Sequence, residues 1–522
     1  MPSTKKHSIT LGRAMKLTRV AVSVILFLTV TTLFTTLTSK VAVALDWVAH
    51  IQVFPLALAG AAGGLMAWFG LTLLLGRVYC SSVCPMGVLQ DVFSHLHRFA
   101  GRGRRRHPFR YSMPRNRFRY AFLCVVAGAV VLGAGVVPTL FDPYSAYGRV
   151  ASEIWRPVWQ FVCGSPVFVA SWLAFAIAVV TLLAVGMVSY RHGRLICNTV
   201  CPVGSTLGIF SRYSLFHFDI DTDVCVNCRK CESVCKAECI SMADHVVDGS
   251  RCVACFNCVE ACDSKAIRYT WRRKKLALPM MQRIGSAAAA PLAGSSEAPV
   301  IKDDAGGVGS DAVSRPAGID RRRFLATGLI VAAAPAVGAL ARATGGDVQR
   351  ATVEGGHNAR AVRPVAPPGR RNMADFLERC TGCGLCAAQC PSQVLRPSVN
   401  EYGWLNVLHP VLDYKRSYCR YDCTICSDVC PTGALLPLTR DEKHIFIIGH
   451  ASVDASACVG CGRCARRCPR KAIAMEPRDS STHGNRAQMA ARVDTSLCIG
   501  CGACEYVCPV KPVKAVMVNG IV

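Results

Sequence analysis

Thirty-one cysteines stand in this chain of 522 residues, and most of them fall into one recurring arrangement. Three thiols a few residues apart in a tight loop, joined by a more distant fourth, can converge on a [4Fe–4S] cube. The fourth is usually followed by proline and, where one domain holds two cubes, ligates the other one. The second half of the chain contains four such quartets: Cys380, Cys383, Cys386 and Cys390; Cys419, Cys423, Cys426 and Cys430; Cys458, Cys461, Cys464 and Cys468; and Cys498, Cys501, Cys504 and Cys508. Each closes on Cys-Pro, at Pro391, Pro431, Pro469 and Pro509, and the second opens with three intervening residues instead of two. Zinc sites favour pairs of C-x2-C separated by a longer gap, which these triplets do not match. Two more quartets lie in the first half, Cys225, Cys228, Cys231 and Cys235, then Cys252, Cys255, Cys258 and Cys262. There Lys236 and Asp263 occupy the usual proline position. Proline is not itself a ligand, so the assignment stands.

A second pattern accompanies the quartets. Cys80 and Cys84 precede Pro85, and Cys197 and Cys201 precede Pro202, both in the form C-x3-C-P. Four thiols from two neighbouring helices could bind a seventh cluster, hold another metal, or exchange electrons as thiol and disulfide. Cys124, Cys163 and Cys239 are single, and such cysteines are mostly packing residues. His95 and His97 read as part of a basic surface helix.

These thiols need elements to position them. Four stretches are apolar over the roughly 20 residues that a membrane crossing takes: 17–38, 51–76, 120–140 and 167–190. Formal net charge is +27, but the basic residues cluster between these stretches, with nine Arg and no acid from His95 to Arg119. Lys5, Lys6, Arg13, Lys16 and Arg19 flank the first stretch, and Arg191 and Arg194 follow the fourth. With four spans all three basic regions fall on one side, the cytoplasm by the positive-inside rule. The aromatic platforms and modules of nucleic-acid binding are missing, so no nucleic-acid partner is expected. Beyond the fourth stretch the chain divides into a cysteine-rich region, an Ala/Gly/Ser/Pro-rich linker without periodicity, a second apolar segment at 324–341, another linker, and the second cysteine-rich region.

Arg321 and Arg322 stand before that second apolar segment in the manner of a twin-arginine export signal, and Ala341-Arg342-Ala343 has the form of a cleavage site. Clusters assembled in the cytoplasm survive only an export route that carries folded proteins, so the last four quartets are expected in the periplasm.

Taken together, the first half resembles the NapH family, on Cys80/Cys84, Cys197/Cys201 and the two quartets at Cys225–Cys235 and Cys252–Cys262. The second half resembles the NapG/MauM family, on Arg321–Arg322 and the quartets from Cys380 to Cys508. The chain looks like a fusion of the two. The fold class expected is an α-helical membrane domain of four spans plus a signal or anchor segment, with α+β ferredoxin-like [4Fe–4S] domains. Its parts are a membrane domain at 1–215, a cytoplasmic two-cluster ferredoxin at 216–275, a linker at 276–319, the twin-arginine segment at 320–343, a linker at 344–372 and a periplasmic four-cluster domain at 373–522. In a two-cluster ferredoxin, Cys262 completes the cube begun by Cys225, and Cys235 the one begun by Cys252. In the second half two schemes stay open: first quartet sharing with fourth and second with third, or neighbours pairing. The resemblance implies a protein of the bacterial inner membrane with six clusters that oxidises membrane quinol and passes electrons to a periplasmic reductase or cytochrome. A maturation factor for a periplasmic metalloenzyme, or a carrier subunit of a larger complex, would use the same clusters. No Ser–His–Asp set, phosphate loop or dinucleotide fingerprint is present, so the only enzyme role expected is that of a quinol dehydrogenase component.

Overall fold

A computed structural model describes residues 11–100, 109–271, 351–352, 361–477 and 489–521. The chain opens on α1 (Leu11–Thr35), whose run from Val20 onward carries no charge. Its threonines turn inward on their own helix: Thr29 Oγ1 donates to the Ile25 carbonyl (2.9 Å), Thr31 to Phe27 (2.7 Å) and Thr35 to Thr31 (2.9 Å). Hydroxyls satisfied in this way leave an apolar exterior suited to lipid. At 25 residues α1 is about 37 Å long. The following helices are α2 (Ser39–Leu45), α3 (Trp47–His50), α4 (Val53–Ala59), α5 (Ala62–Leu75), α6 (Val78–Ser82), α7 (Pro85–Ala100), α8 (Asn116–Val131), α9 (Val136–Phe141), α10 (Pro143–Val150), α11 (Arg156–Val162), α12 (Trp172–His192), α13 (Leu195–Thr199) and α14 (Pro202–Ser211).

Four spans were expected, and the helices correct this. Among the described residues only α1 and α12 are individually long and apolar enough to cross a membrane, with a third crossing if α2–α3 and α4, bent by 88°, count as one. The stretch 51–76 is cut where Gly60 closes α4 in the left-handed region (φ +73°), leaving α5 with 14 residues, about 21 Å. The stretch 120–140 is likewise cut by a turn at Gly133 (φ +70°), which separates α8 from α9. Both breaks fall at glycines, which accept that conformation without a Cβ penalty. The segment after α9 is buried rather than a surface loop. Asp142 caps α10, accepting from the Ser145 N–H (2.8 Å) and hydroxyl (2.6 Å), with Pro143 at the first helical position, and every residue of α10 is buried.

After α14 the chain forms a small α+β domain. Strand β1 (Phe216–Ile220) pairs with β4 (Ile267–Trp271), and β2 (Ile240–Ser241) pairs antiparallel with β3 (Val246–Val247). It packs on the Leu11 end of α1: Lys16 ion-pairs with Glu260, the Leu215 N–H donates to Leu73 O (2.7 Å), and Tyr269 OH donates to Leu75 O (2.9 Å).

The second half is built from antiparallel ribbons. These are β5 (Ala351–Thr352) with β6 (Ala361–Val362), β7 (Leu395–Pro397) with β8 (Pro410–Leu412), β9 (Gly449–Val453) with β12 (Val516–Gly520), and β10 (Ile473–Pro477) with β11 (Met489–Val493). It packs on the other end of α1. Gln389 Nε2 donates to Leu33 O (2.7 Å), Arg379 Nη1 to Leu58 O (2.9 Å), and Arg416 Nη1 to Val169 O (3.4 Å). The expected linker at 344–372 ends early: from Ala361 the chain is part of the fold, because Val365 and Ala366 are buried and Val365 O accepts from Leu412 N (2.9 Å). The linker at 276–319 and the twin-arginine segment at 320–343 lie outside the described residues.

Candidate functional site

In three of the four loops of the second half, local backbone geometry explains how three thiols converge. Gly382 (φ +54°) and Gly384 (φ +82°) flank Cys383, Gly460 and Gly462 (both φ +66°) flank Cys461, and Gly500 (φ +76°) and Gly502 (φ +77°) flank Cys501. A left-handed residue on each side of the middle cysteine curls the loop so that its amides face the sulfurs. The Gly382 N–H points at Cys380, the Leu385 N–H at Cys383 and the Ala503 N–H at Cys501. The Cys419–Cys426 loop, with its extra residue, lacks this pair of positive φ angles.

The fourth ligand resolves the open question of sharing. One cavity is lined by Cys380, Cys383, Cys386 and Cys430. Cys390 joins Cys419, Cys423 and Cys426. Two further cavities gather Cys468 with Cys498, Cys501 and Cys504, and Cys458, Cys461 and Cys464 with Cys508. Neighbouring quartets therefore exchange their last cysteines. The two pairs abut at Tyr414, whose hydroxyl donates to Gly500 O (2.7 Å), and at the Cys419 N–H, which donates to Cys501 O (3.0 Å).

The first half follows the same rule with different residues. Asn227 (φ +53°) and Arg229 (φ +54°) flank Cys228, and Ala254 (φ +49°) and Phe256 (φ +60°) flank Cys255. Cys262 lies beside Cys231, and Cys235 beside Cys255 and Cys258, which is the exchange expected for a two-cluster domain. The two missing prolines have visible replacements. Lys236 is buried and reaches Asp91 of α7 (3.3 Å), tying the domain to the helices, while Asp263 pairs with Lys230. Cys239, expected to be packing, is a buried thiol 3.6 Å from Cys235 Sγ that also contacts Cys252, so it touches two cysteines that the exchange brings into one set. His95 is exposed on α7, its Nδ1 2.9 Å from Asp91 O.

The C-x3-C-P cysteines are brought together. Cys80, Cys84, Cys197 and Cys201 are all buried and interact with one another. Each motif has the same build. Pro85 and Pro202 open α7 and α14, and Cys84 and Cys201 sit at the caps, with the Gly204 N–H donating to Cys201 Sγ (3.3 Å) and the Gly87 N–H to Cys84. An arginine precedes each motif by three residues and crosses to the other. Arg77 Nη2 donates to Cys197 O (3.1 Å), and Arg194 Nη1 to Cys80 O (2.5 Å). Gly87 and Gly204 make room for this crossing: a Cβ on Gly204 would sit 2.2 Å from Cys197 O and 2.8 Å from Arg77, and one on Gly87 2.4 Å from Cys80 O. The longer repeat G-R-x2-C-x3-C-P-x-G, at 76–87 and 193–204, was readable in the sequence and carried this signal.

The charges at this site differ between the two arginines. Arg194 pairs with the partly buried Asp91 (2.8 Å), whose carboxyl is held well below its usual range by Arg194 and Lys236 although desolvation opposes this. Arg77, wholly buried, has no carboxylate partner among the described residues and bonds only to Asn198, backbone carbonyls and Cys80 Sγ (3.7 Å). Burial opposes its charge, and the Cys80 and Cys197 thiols more than offset that. A buried guanidinium needs nearby negative charge, and four metal-bound thiolates would supply it. Burial, and after it the neighbouring cysteines of the site, push the thiols of Cys84 and Cys201 up, which bound iron would reverse. The residues thus fit a cluster. Among the described residues no three His, Cys, Asp or Glu side chains close around a single ion.

Between this site and the second half lies α10. Tyr79 interacts with both Cys84 and Asp142, and Tyr144 with both Asp142 and Cys383. Gly148 lets the Cys383 loop approach: a Cβ there would stand 2.6 Å from Cys383 O.

Comparison with known proteins matches this geometry. Residues 378–434 and 457–511 match the 4Fe-4S dicluster domain family, the same pairs that exchange cysteines. Residues 56–103 and 169–221, which contain the two C-x3-C-P motifs, match a 4Fe-4S binding domain family. An uncharacterized protein of Methanocaldococcus jannaschii is 37% identical over 90 residues, 17% of this chain and 36% of that protein. The methylamine utilization ferredoxin-type protein MauM of Methylorubrum extorquens is 32% identical over 164 residues, 30% of this chain and 70% of MauM. The chain belongs to this family of MauM-like ferredoxin-type proteins. It carries iron–sulfur domains of the [4Fe–4S] ferredoxin type. The ferredoxin-type protein NapF of Escherichia coli is 29% identical over 132 residues, 25% of this chain and 75% of NapF. The chain spans about a third of the length of the Methanocaldococcus relative and about half that of MauM from Paracoccus denitrificans. No solved structure matches the chain.

Proposed function

We propose that this chain is a transmembrane quinol dehydrogenase relay. It takes electrons from membrane quinol and delivers them, across the bilayer, to an acceptor at the far end of the second half, a periplasmic reductase or cytochrome. The observation that carries this reading is the position of the buried C-x3-C-P site. It lies between two sets of cysteine quartets that pack on opposite ends of a helix about 37 Å long. That length matches a hydrocarbon core of about 30 Å. When bound, six clusters in the quartets and a seventh in the C-x3-C-P site carry single electrons at potentials set by charge, hydrogen bonds and burial. In this reading the basic flanks of α1 and α12 face the cytoplasm, and the second half is periplasmic.

The protein's part is to hold these centres in line and to tune them. Tyr79, Asp142 and Tyr144 fill the space between the C-x3-C-P site and Cys383. At the far end, Cys461 is exposed, Val459 is 54% exposed, and Arg463, Arg466, Arg467 and Lys471 are exposed on the same segment. A basic rim around an accessible centre suits an acidic electron acceptor. The test is anaerobic reduction of the purified full chain by a short-chain quinol, followed through the bleaching of cluster absorbance. Rapid bleaching of a sizeable fraction of what dithionite bleaches supports the relay. Bleaching by dithionite alone rejects it.

A further inference from the structure

A large open cleft lies beside the C-x3-C-P site, at the end of α12 that carries Arg191 and His192. It has two connected parts that share Pro114, Arg115, Asn116, Leu195 and Thr199. One part, about 770 Å³, is mainly apolar and is walled by Phe118 of α8, Val188 of α12 and Val200 after α13. The other, about 840 Å³, is more polar and has His192, Asn198 and Glu238 in its wall. The positions of these residues in the chain give the cleft its meaning. Asn198 lies between Cys197 and Cys201, and Glu238 lies between Cys235 and Cys239. The polar part is thus bounded by the loops that present two separate sets of cluster-binding cysteines. His192 Nδ1 stands 3.5 Å from Glu238 Oε1, and its ring is half exposed to the cleft.

We propose that this cleft is the quinol site. The inference rests on the quinol dehydrogenase reading. The apolar part, opening between α8 and the apolar helix α12, takes the isoprenoid tail, and the polar part takes the ring. Binding sites of this kind are concave and mostly apolar, with a few polar groups that orient the ligand. Quinol would give up two electrons, one each to two oxidised clusters that the adjacent cysteine sets would hold, and two protons, and would leave as quinone. One proton passes from a ring hydroxyl to the free nitrogen of His192, oriented by Glu238 on its other side. The second goes to water in the open polar part. Arg115 and Arg191 at the rim would equally suit the phosphate of an anionic lipid, so the test separates the two.

The full chain in nanodiscs is photolabelled with an azidoquinone and the adducts are mapped by mass spectrometry, alongside Val188→Trp and Asn116→Trp. Asn116 is exposed and Val188 half-buried, and both line the cleft, so a larger side chain at either position intrudes on it. The expected result is adducts within 109–118 and 188–200 that short-chain quinol displaces. In both variants the adducts and the quinol bleaching fall at least tenfold, while iron content and dithionite bleaching are unchanged. Quinol bleaching of wild type with adducts elsewhere, or undiminished in both variants, overturns the site and leaves the relay standing. Adducts in the cleft that phosphatidylglycerol displaces and quinol does not make it a lipid site and overturn the proposal. No quinol bleaching of wild type overturns the relay, and the site with it.

Discussion

Arg77→Gln should lower the midpoint potential of the C-x3-C-P centre by roughly 100 mV. The guanidinium lies 3.7 Å from Cys80 Sγ and is fully buried, with no carboxylate among the described residues to cancel its charge. An electron added to a cube held by these thiols would sit roughly 7 Å from that charge, and at an effective dielectric constant of about 20 the attraction is about 2.4 kcal/mol. With about 1.4 kcal/mol corresponding to about 59 mV for one electron, this comes to roughly 100 mV. Arg77→Lys keeps the charge and should shift the potential by less than about a third of that. The assay is a redox titration of the full chain in nanodiscs followed by electron paramagnetic resonance, with iron content measured in parallel. If all centres keep their potentials in Arg77→Gln at unchanged iron content, or if Arg77→Lys moves them as far, the electrostatic account is wrong.

Three further outcomes follow from the same geometry. Cys84→Ser and Cys201→Ser should each remove about four iron atoms per chain while the six quartets keep theirs; full iron retention by chemical analysis would mean that the site holds no cluster. Cys239→Ala removes a thiol 3.6 Å from Cys235 Sγ and should lower one cluster potential by some tens of millivolts with no loss of iron, since hydrogen bonds to cluster sulfurs tune potentials; an unchanged titration would return Cys239 to a packing role. Electron transfer to an acidic acceptor should slow steeply as ionic strength rises, and Arg463→Gln with Arg467→Gln should cut the association rate about tenfold at low salt; stopped-flow rates indifferent to salt would remove the basic rim from the docking surface.

How much of this was legible in advance depended on range along the chain. Loops such as Cys380–Cys386 are local: two residues between thiols, with glycine on each side of the middle one, bring three ligands together with little help from the rest of the protein. The cysteine pattern alone therefore led to ferredoxin domains, and the uncharged runs of α1 and α12 alone led to two long apolar helices. The first-half exchange of Cys235 and Cys262 was also within reach, because the two quartets adjoin. Everything that joins distant segments had to come from packing. The fourth cysteines of the second half could have been shared in two ways, and only the folded ribbons bring Cys430 to Cys380 and Cys508 to Cys458. The two apolar stretches that break at Gly60 and Gly133 have the composition of spans, and composition does not register a backbone turned back by its neighbours. Lys236 looked like a lost proline until Asp91 was found opposite it. The convergence of Cys80, Cys84, Cys197 and Cys201 is of the same kind. Two copies of a short motif more than a hundred residues apart become one site because Arg77 and Arg194 each reach across to the other's backbone. Spacing within a loop is set by covalent geometry, and meetings between loops are set by the tertiary fold.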